Sequence, residues 1–236
     1  KGTAMSRIAI IGAMDIETIR LTELMTVKEK KDVAGITFFD GQLNNQDVIV
    51  ATCGVGKVNA AVCTQIMISE FGAEKIINTG VSGAIFSSLD VGDTVISTDC
   101  LQHDVDCTAF GYAHGMIPRM ETSVFPADQT LVDLAYDVSL ECLKDHKVFK
   151  GRIVSGDQFV ASPERKTFLE DVFKVYTTEM EGASIAHVCH LNHIPFVIIR
   201  AMSDKADGSA HVNFDEFAVM AAENSNRIVL GMLERM

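Results

Sequence analysis

The residues best placed for chemistry lie between Thr177 and Asp207. Glu179 and Glu181 flank Met180, and Asp204 closes the run Arg200–Ala201–Met202–Ser203. Carboxylates are the groups a protein uses to give or take a proton, or to face a developing positive charge. The chain between them must hold them in register. Gly182, Ile185, Ala186 and Cys189 fall at i, i+3, i+4 and i+7, which predicts a helix with one small, flat face. Pro195 then opens Phe196–Val197–Ile198–Ile199, a run without polar alternation that suits a parallel strand buried on both faces. Ligands of open α/β sheets bind outside the carboxyl ends of strands, so Glu181 and Asp204 are expected at one rim, on consecutive strand ends. The same two residues also fit a purely structural reading, with Glu181 favouring a helix start and Asp204 capping a turn. The residues alone leave both readings open.

A third carboxylate comes from the beginning of the chain. Arg7 to Gly12 reads as a short apolar strand, and Asp15 and Glu17 follow as a helix starts. Strand, glycine and helix in that order suggest a dinucleotide site, but the G-x-G-x-x-G spacing is absent. Gly56–Lys57 likewise suggests a phosphate loop. Ala51 stands where its upstream glycine belongs, and Val58 replaces the Ser/Thr that would hold magnesium. Glycines after Lys75–Asn78, in Thr79–Gly80–Val81–Ser82–Gly83–Ala84, are expected to form a turn that lets a ligand approach the backbone. Another polar turn, Ser155–Gly156–Asp157–Gln158–Phe159–Val160, is expected after a strand at Lys150–Val154. Strand ends therefore deliver Glu17, Gly83, Phe159, Glu181 and Asp204, and the only basic residues expected near these glycine turns are Lys57, opening a helix, and Arg200, a candidate partner of Glu181. Several carboxylates at one rim repel each other unless each has a partner or a task, which points to an enzyme without a required metal.

The remaining elements have to frame that rim. Strands are expected at Val33–Phe39 and Val48–Thr52, with turns at Asp40–Gly41 and Asn44–Asn45. Helices are expected from Lys57 to Phe71, Ala127 to Leu143, Pro163 to Asp171 and Phe214 to Met236, and a further strand at Thr94–Ile96. His103 to Pro118, which holds Phe110 and Tyr112, reads as a long irregular excursion, and such loops in compact domains are commonly functional. His187, His190 and His193 fit a polar helix end better than a metal site.

The whole chain sets outer bounds. It has 236 residues, 47% of them hydrophobic, four prolines and a formal net charge of −12. It shows no linker, repeat or low-complexity stretch, so one α/β domain spanning 5–236 is expected, with Lys1–Ala4 read as the remnant of an expression tag. The acidic balance disfavours nucleic acid and anionic membrane as partners. Six cysteines without C-x-x-C spacing, and the absence of a signal peptide or long apolar span, suggest a reduced, cytoplasmic protein.

Taken together, Gly12–Ala13–Met14 with Glu17, Asn78–Thr79–Gly80, Thr108 to Tyr112, Ser155–Gly156–Asp157, Glu179–Met180–Glu181 and Arg200 to Asp204 resemble, in order, the bacterial 5′-methylthioadenosine/S-adenosylhomocysteine nucleosidases. These belong to the purine nucleoside phosphorylase superfamily. The similarity spans nearly all of Met5 to Met236. It implies a single-domain α/β/α sandwich around a twisted mixed sheet, and a homodimer. It also implies hydrolysis of the N-glycosidic bond of adenine nucleosides carrying a 5′-thio group, without cofactor or metal, in methionine salvage and S-adenosylmethionine recycling. By similarity Asp204 is the acid at purine N7, Glu17 the base for water, and Glu181 the carboxylate on the ribose hydroxyls. Met180 and Gly83 lie beside the sugar, Phe159 stacks on adenine, and Val160 offers backbone hydrogen bonds. Met14, Val55, Ser203 and Phe214 complete the substrate pocket, and Phe110 and Pro118 reach the partner's 5′ pocket. Two positions depart from the family pattern. Gly80–Val81–Ser82–Gly83 stands where many relatives read Gly-Ser-Ala-Gly, and Gly182 where they often carry alanine. The alternatives are an aminofutalosine nucleosidase of menaquinone synthesis, a purine nucleoside phosphorylase, or a non-enzymatic nucleoside sensor.

Overall fold

The computed structural model describes residues 6–236, so the expectation for Lys1–Ala4 lies outside the described residues. Ten strands form one mixed sheet: β1 (Ile8–Gly12), β2 (Thr26–Val33), β3 (Ile36–Leu43), β4 (Gln46–Thr52), β5 (Lys75–Ala84), β6 (Thr94–Gln102), β7 (Phe125–Pro126), β8 (Val148–Ser155), β9 (Thr177–Glu179) and β10 (Phe196–Asp204). Six helices cover it: α1 (Asp15–Leu24), α2 (Lys57–Ser69), α3 (Gln129–Cys142), α4 (Pro163–Phe173), α5 (Gly182–Asn192) and α6 (Ala210–Glu234).

Alternation along β1 shows the layering. Ile8 and Ile10 enter a core shared with Leu21 of α1, Leu131 and Val132 of α3 and Ile228 of α6. Ala9 and Ile11 enter the opposite core with Cys63 and Met67 of α2 and Ala186 and Cys189 of α5. A strand packed on both faces can carry no polar alternation, and every residue of β1 and β10 is buried. The sandwich expected from the sequence is therefore present. The strand order is β10-β6-β8-β9-β5-β1-β4-β3-β2, and β10 also pairs with β5. That extra pairing closes β10, β6, β8, β9 and β5 into a ring, a feature the sequence did not suggest.

Three corrections to the expected elements have physical causes. Val33–Phe39 is not one strand, because Ala34 and Gly35 adopt left-handed backbone and turn the chain between β2 and β3. Asp40–Gly41 is not a turn but lies inside β3. A side chain at Gly41 would strike the Thr26 carbonyl of β2, beside a register shift between Val27 and Glu29. Thr79–Ala84 is also strand rather than turn.

Direction sets the rim. β1, β5 and β10 run parallel, so Glu17, Gly83 and Asp204 come out at one end. β9 runs antiparallel to β5, pairing Thr178 with Gly83. Glu181 thus reaches the rim from the opposite direction rather than from a consecutive parallel strand.

Candidate active site

The rim opens into a cavity of about 330 Å³. Its lining includes Met14, Glu17, Val55, Gly83, Phe159, Val160, Met180, Glu181, Ser203, Asp204 and Phe214, eleven of the residues singled out in the sequence. Phe110 and Pro118 do not line it. Phe110 is 84% exposed, on a single 3-10 turn at Thr108–Phe110 within the excursion after β6.

Glu17 sits in the first turn of α1 with its carboxylate folded back under the end of β1. Oε1 accepts from the backbone N–H groups of Ala13 and Met14, both at 2.9 Å, and Oε2 accepts from Val81 N–H at 2.8 Å. Burial pushes its pKa up, while Arg200 and the three N–H groups hold it toward the ionised form. Glu181 accepts from Gly56 N–H at 2.8 Å, and this bond ties it to the turn before α2. Burial is the main cause that raises its pKa to about 7, with Arg200 opposing and Glu179 adding to the rise.

The side chain that organises these acids is Arg200. The sequence reading placed it near the glycine positions as a possible partner of Glu181. It is 1% exposed. Its guanidinium pairs most closely with Glu179, lies 3.5 Å from Glu181 and 3.9 Å from Glu17, and donates to Asn78 Oδ1 and to the Val81 carbonyl. Glu179 is itself committed, since it accepts from Ser155 Oγ and from Gly182 N–H at 2.7 Å. Gly80 is required here because a Cβ would collide with Glu17 Oε2 and come 2.7 Å from Arg200 Nη1. Three carboxylates thus share one guanidinium. When all three are ionised the group carries a surplus of negative charge over that one cation.

Asp204 is set apart from that group. It ends β10 at a bulge opposite Gly83. Oδ1 accepts from Ala206 N–H at 2.8 Å, and Ser203 Oγ donates to Oδ2 at 2.9 Å. No cation lies within ion-pair distance of it among the described residues, and burial raises its pKa against those two hydrogen bonds. Gly83 leaves the space, as a Cβ there would come 2.8 Å from Asp204 Oδ1. A protonated carboxyl facing a cavity can donate a proton, and a buried carboxylate held by N–H groups can accept one.

The apolar walls are Met14, Val55, Met180, Phe159 and Phe214, with the last two meeting edge to face at 5.8 Å. Ser82 does line the cavity, but its hydroxyl pairs with Thr177 Oγ1, which also donates to the Gly83 carbonyl. Gln158, Thr178, His211 and Asp215 also line the cavity and were missed. No spacing marks them, because they arrive from the loop after β8, the short strand β9 and the first turns of α6. Lys57 faces elsewhere, with Nζ bound to Asp104 at 2.7 Å and Gln102 at 3.1 Å. His187 stacks on Phe125 and His190 tilts against it, while His193 caps α5 in left-handed backbone.

The chain is similar over nearly its whole length to known proteins. The family model described as "Phosphorylase superfamily" matches residues 7–234. A 5′-methylthioadenosine/S-adenosylhomocysteine nucleosidase of Bacillus thuringiensis is 44% identical over 231 residues, covering 98% of this chain and 99% of the relative. The Neisseria meningitidis nucleosidase of the same name, solved with methylthio-immucillin-A, superposes with a TM-score of 0.94 at 41% identity, covering 98% of this chain and all of that one. A futalosine hydrolase of Helicobacter pylori superposes with a TM-score of 0.93 at 36% identity, covering 98% of this chain and 99% of that one.

Proposed function

The chain belongs to the phosphorylase superfamily, and from that premise we propose that it is a nucleosidase. It hydrolyses the N-glycosidic bond of 5′-methylthioadenosine and S-adenosylhomocysteine, and of 5′-deoxyadenosine, to release adenine. Curated relatives named 5′-methylthioadenosine/S-adenosylhomocysteine nucleosidase reach 44% identity, against 36% for the futalosine hydrolase, which supports thio-substituted substrates.

One observation carries the choice of water over phosphate. Below the cavity the carboxylates of Glu17, Glu179 and Glu181 outnumber the single guanidinium, whose donors are already taken by protein acceptors. A phosphate dianion there would meet surplus negative charge. In a water-poor site such like-charge contact costs several kcal/mol. The same surplus stabilises the positive charge that develops on ribose as adenine leaves.

In this reading Asp204 gives its proton to purine N7, so that adenine departs neutral. Glu17, raised in pKa by burial but held toward its ionised form by three N–H donors and Arg200, takes a proton from the attacking water. Glu181 receives the ribose hydroxyls and Met180 lies against the sugar. Phe159 stacks on adenine and the Val160 backbone reads its edge. Met14, Val55 and Phe214 form the 5′ wall, and Ser203 steadies Asp204. Every step is assigned to the chain's own groups. The test is adenine release in phosphate-free buffer. The wild-type chain is expected to be fully active there, and Glu17→Gln to lose at least about 100-fold in kcat, the lower end of general-base effects. A requirement for phosphate, with a sugar 1-phosphate as product, would move the chain to the phosphorylases.

We also propose a homodimer in which Phe110 and Pro118 of one protomer complete the 5′ pocket of the other. Phe110, Tyr112 and Met116 on the excursion are exposed, as are Val55, Val58 and Val62 at and beside α2. An apolar surface of this kind marks an interaction site. Phe110→Ala should raise KM for bulky 5′-thio substrates about tenfold, the scale of one buried aromatic contact, and adenosine much less. A fully active monomer in sedimentation would contradict the proposal. No helix among the described residues is long and apolar enough to cross a membrane. The six free cysteines support a cytoplasmic setting.

A further inference from the structure

We propose that His103 is a positioning residue for the purine-binding loop, clamping both ends of the segment that carries Gln158, Phe159 and Val160. The proposal rests on the nucleosidase reading and extends it to a side chain outside the cavity lining.

His103 follows β6 directly and is 2% exposed. Its backbone N–H donates to the Ser155 carbonyl at 2.9 Å. Its ring occupies the space over Gly156, where a Cβ would come 2.6 Å from Nε2. The next residue, Asp104, accepts from Asp157 N–H at 2.9 Å. The near end of the loop is therefore fitted onto His103–Asp104. At the far end Ser162 caps α4 by accepting from Arg165 N–H. The Arg165 guanidinium reaches back to lie 3.0 Å from His103 Nδ1, with its plane over Phe168.

The geometry fixes the protonation pattern. A guanidinium has no acceptor, so Nδ1 accepts and the ring proton sits on Nε2. Burial and then Arg165 lower the imidazole pKa to about 4, which keeps the ring neutral. His103 Nε2 and Arg165 Nε are both buried without a hydrogen-bond partner. An apolar pair of similar shape would join β6 to α4 without two unsatisfied donors. What the polar pair adds is direction: one hydrogen bond sets the distance between the two ends of the loop. Phe159 needs this, since it is 47% exposed and meets Phe214 only edge-on.

The test uses the full-length chain and its His103→Ala, His103→Asn, Arg165→Ala and doubly substituted variants. Adenine binding is read by calorimetry, and kcat and KM by methylthioadenosine turnover. His103→Ala and Arg165→Ala should each weaken adenine binding and raise KM about tenfold, the scale of one lost charge-assisted hydrogen bond. The kcat should stay within about twofold, since no group of the proposed proton transfers is altered. Asn Oδ1 can accept from Arg165 in place of Nδ1, so His103→Asn should recover most of the loss. The double variant should be no worse than the single ones, because both remove the same bond. A His103→Asn variant as weak as His103→Ala, or a loss seen only in kcat or only in melting temperature, overturns the proposal. Should His103→Ala not fold, Arg165→Ala and His103→Asn still decide it. Wild-type chain that binds no adenine overturns the nucleosidase reading instead.

Discussion

Asp204→Asn is expected to lower kcat at least about 100-fold while substrate still binds, the low end of what a positioned acid contributes. The substitution keeps the local bonds. An amide oxygen can accept from Ala206 N–H as Asp204 Oδ1 does, and the amide nitrogen can donate to Ser203 Oγ in place of the Oδ2 contact. What disappears is the acidic proton. Burial raises the Asp204 pKa, so the protonated form is favoured in the folded chain and is lost as pH rises through that raised value. The kcat of the unaltered chain should therefore fall on the alkaline side, and the Asn variant should lack that limb. Steady-state turnover against pH, with adenine binding measured alongside, checks both. Turnover near the unaltered level would remove Asp204 from the mechanism.

Arg200→Leu should cost about 3–5 kcal/mol of stability, the range for deleting one partner of a buried ionic group. For a chain of this size that corresponds to a fall in melting temperature of very roughly 10 °C. The change leaves Glu17, Glu179 and Glu181 without their cation, and Asn78 Oδ1 and the Val81 carbonyl without their donor. Burial already pushes the Glu181 pKa up from its ordinary 4.5 to about 7, with Arg200 holding it down. A folded-state pKa raised further means stability that is present at low pH and lost as pH rises. The gap in melting temperature between the two proteins should therefore be wider at pH 8 than at pH 5. Calorimetric scans at both values would settle this, and an equal gap would mean that Arg200 acts by packing alone.

The residues that were legible share one property: each stands where an apolar pattern stops. Glu17, Glu181 and Asp204 follow strand-like or precede helix-like runs, so their positions at a rim could be read from the chain. Arg200 was read as a neighbour of the glycine positions rather than as the hub, because it interrupts the buried run of β10 and only tertiary structure brings three acids to it. β2 was missed because it is an edge strand whose residues are almost all exposed and mostly charged or polar, a composition that suits a protected edge and hides the strand period. Gly41 and Gly80 misled in one way. Both look like turn residues, yet both are strand positions where backbone or a charged group passes too close for a side chain. The turn Ser155–Val160 was read as polar and as delivering Phe159 to the rim. Its dependence on His103 was not, since β6 and α4 are brought together only by the closed half of the sheet.

The closure of β5, β9, β8, β6 and β10 into a ring also bears on how the chain assembles. Nine of the ten strands precede Phe196, yet β10 lies between β5 and β6 and pairs with both. Until Phe196–Asp204 is in place, the chain carries two unpaired strand edges, one on β5 and one on β6. Those edges hold the buried stretches Ile76–Gly83 and Thr94–Ile96, which are apolar enough to pair wrongly. Insertion of β10 seals both at once and delivers Arg200 and Asp204 in the same event. Pulse-labelled hydrogen exchange should accordingly find the amides of β10 and β6 gaining protection together, so that the chain passes from exposed edges to complete site without a stable half-built stage.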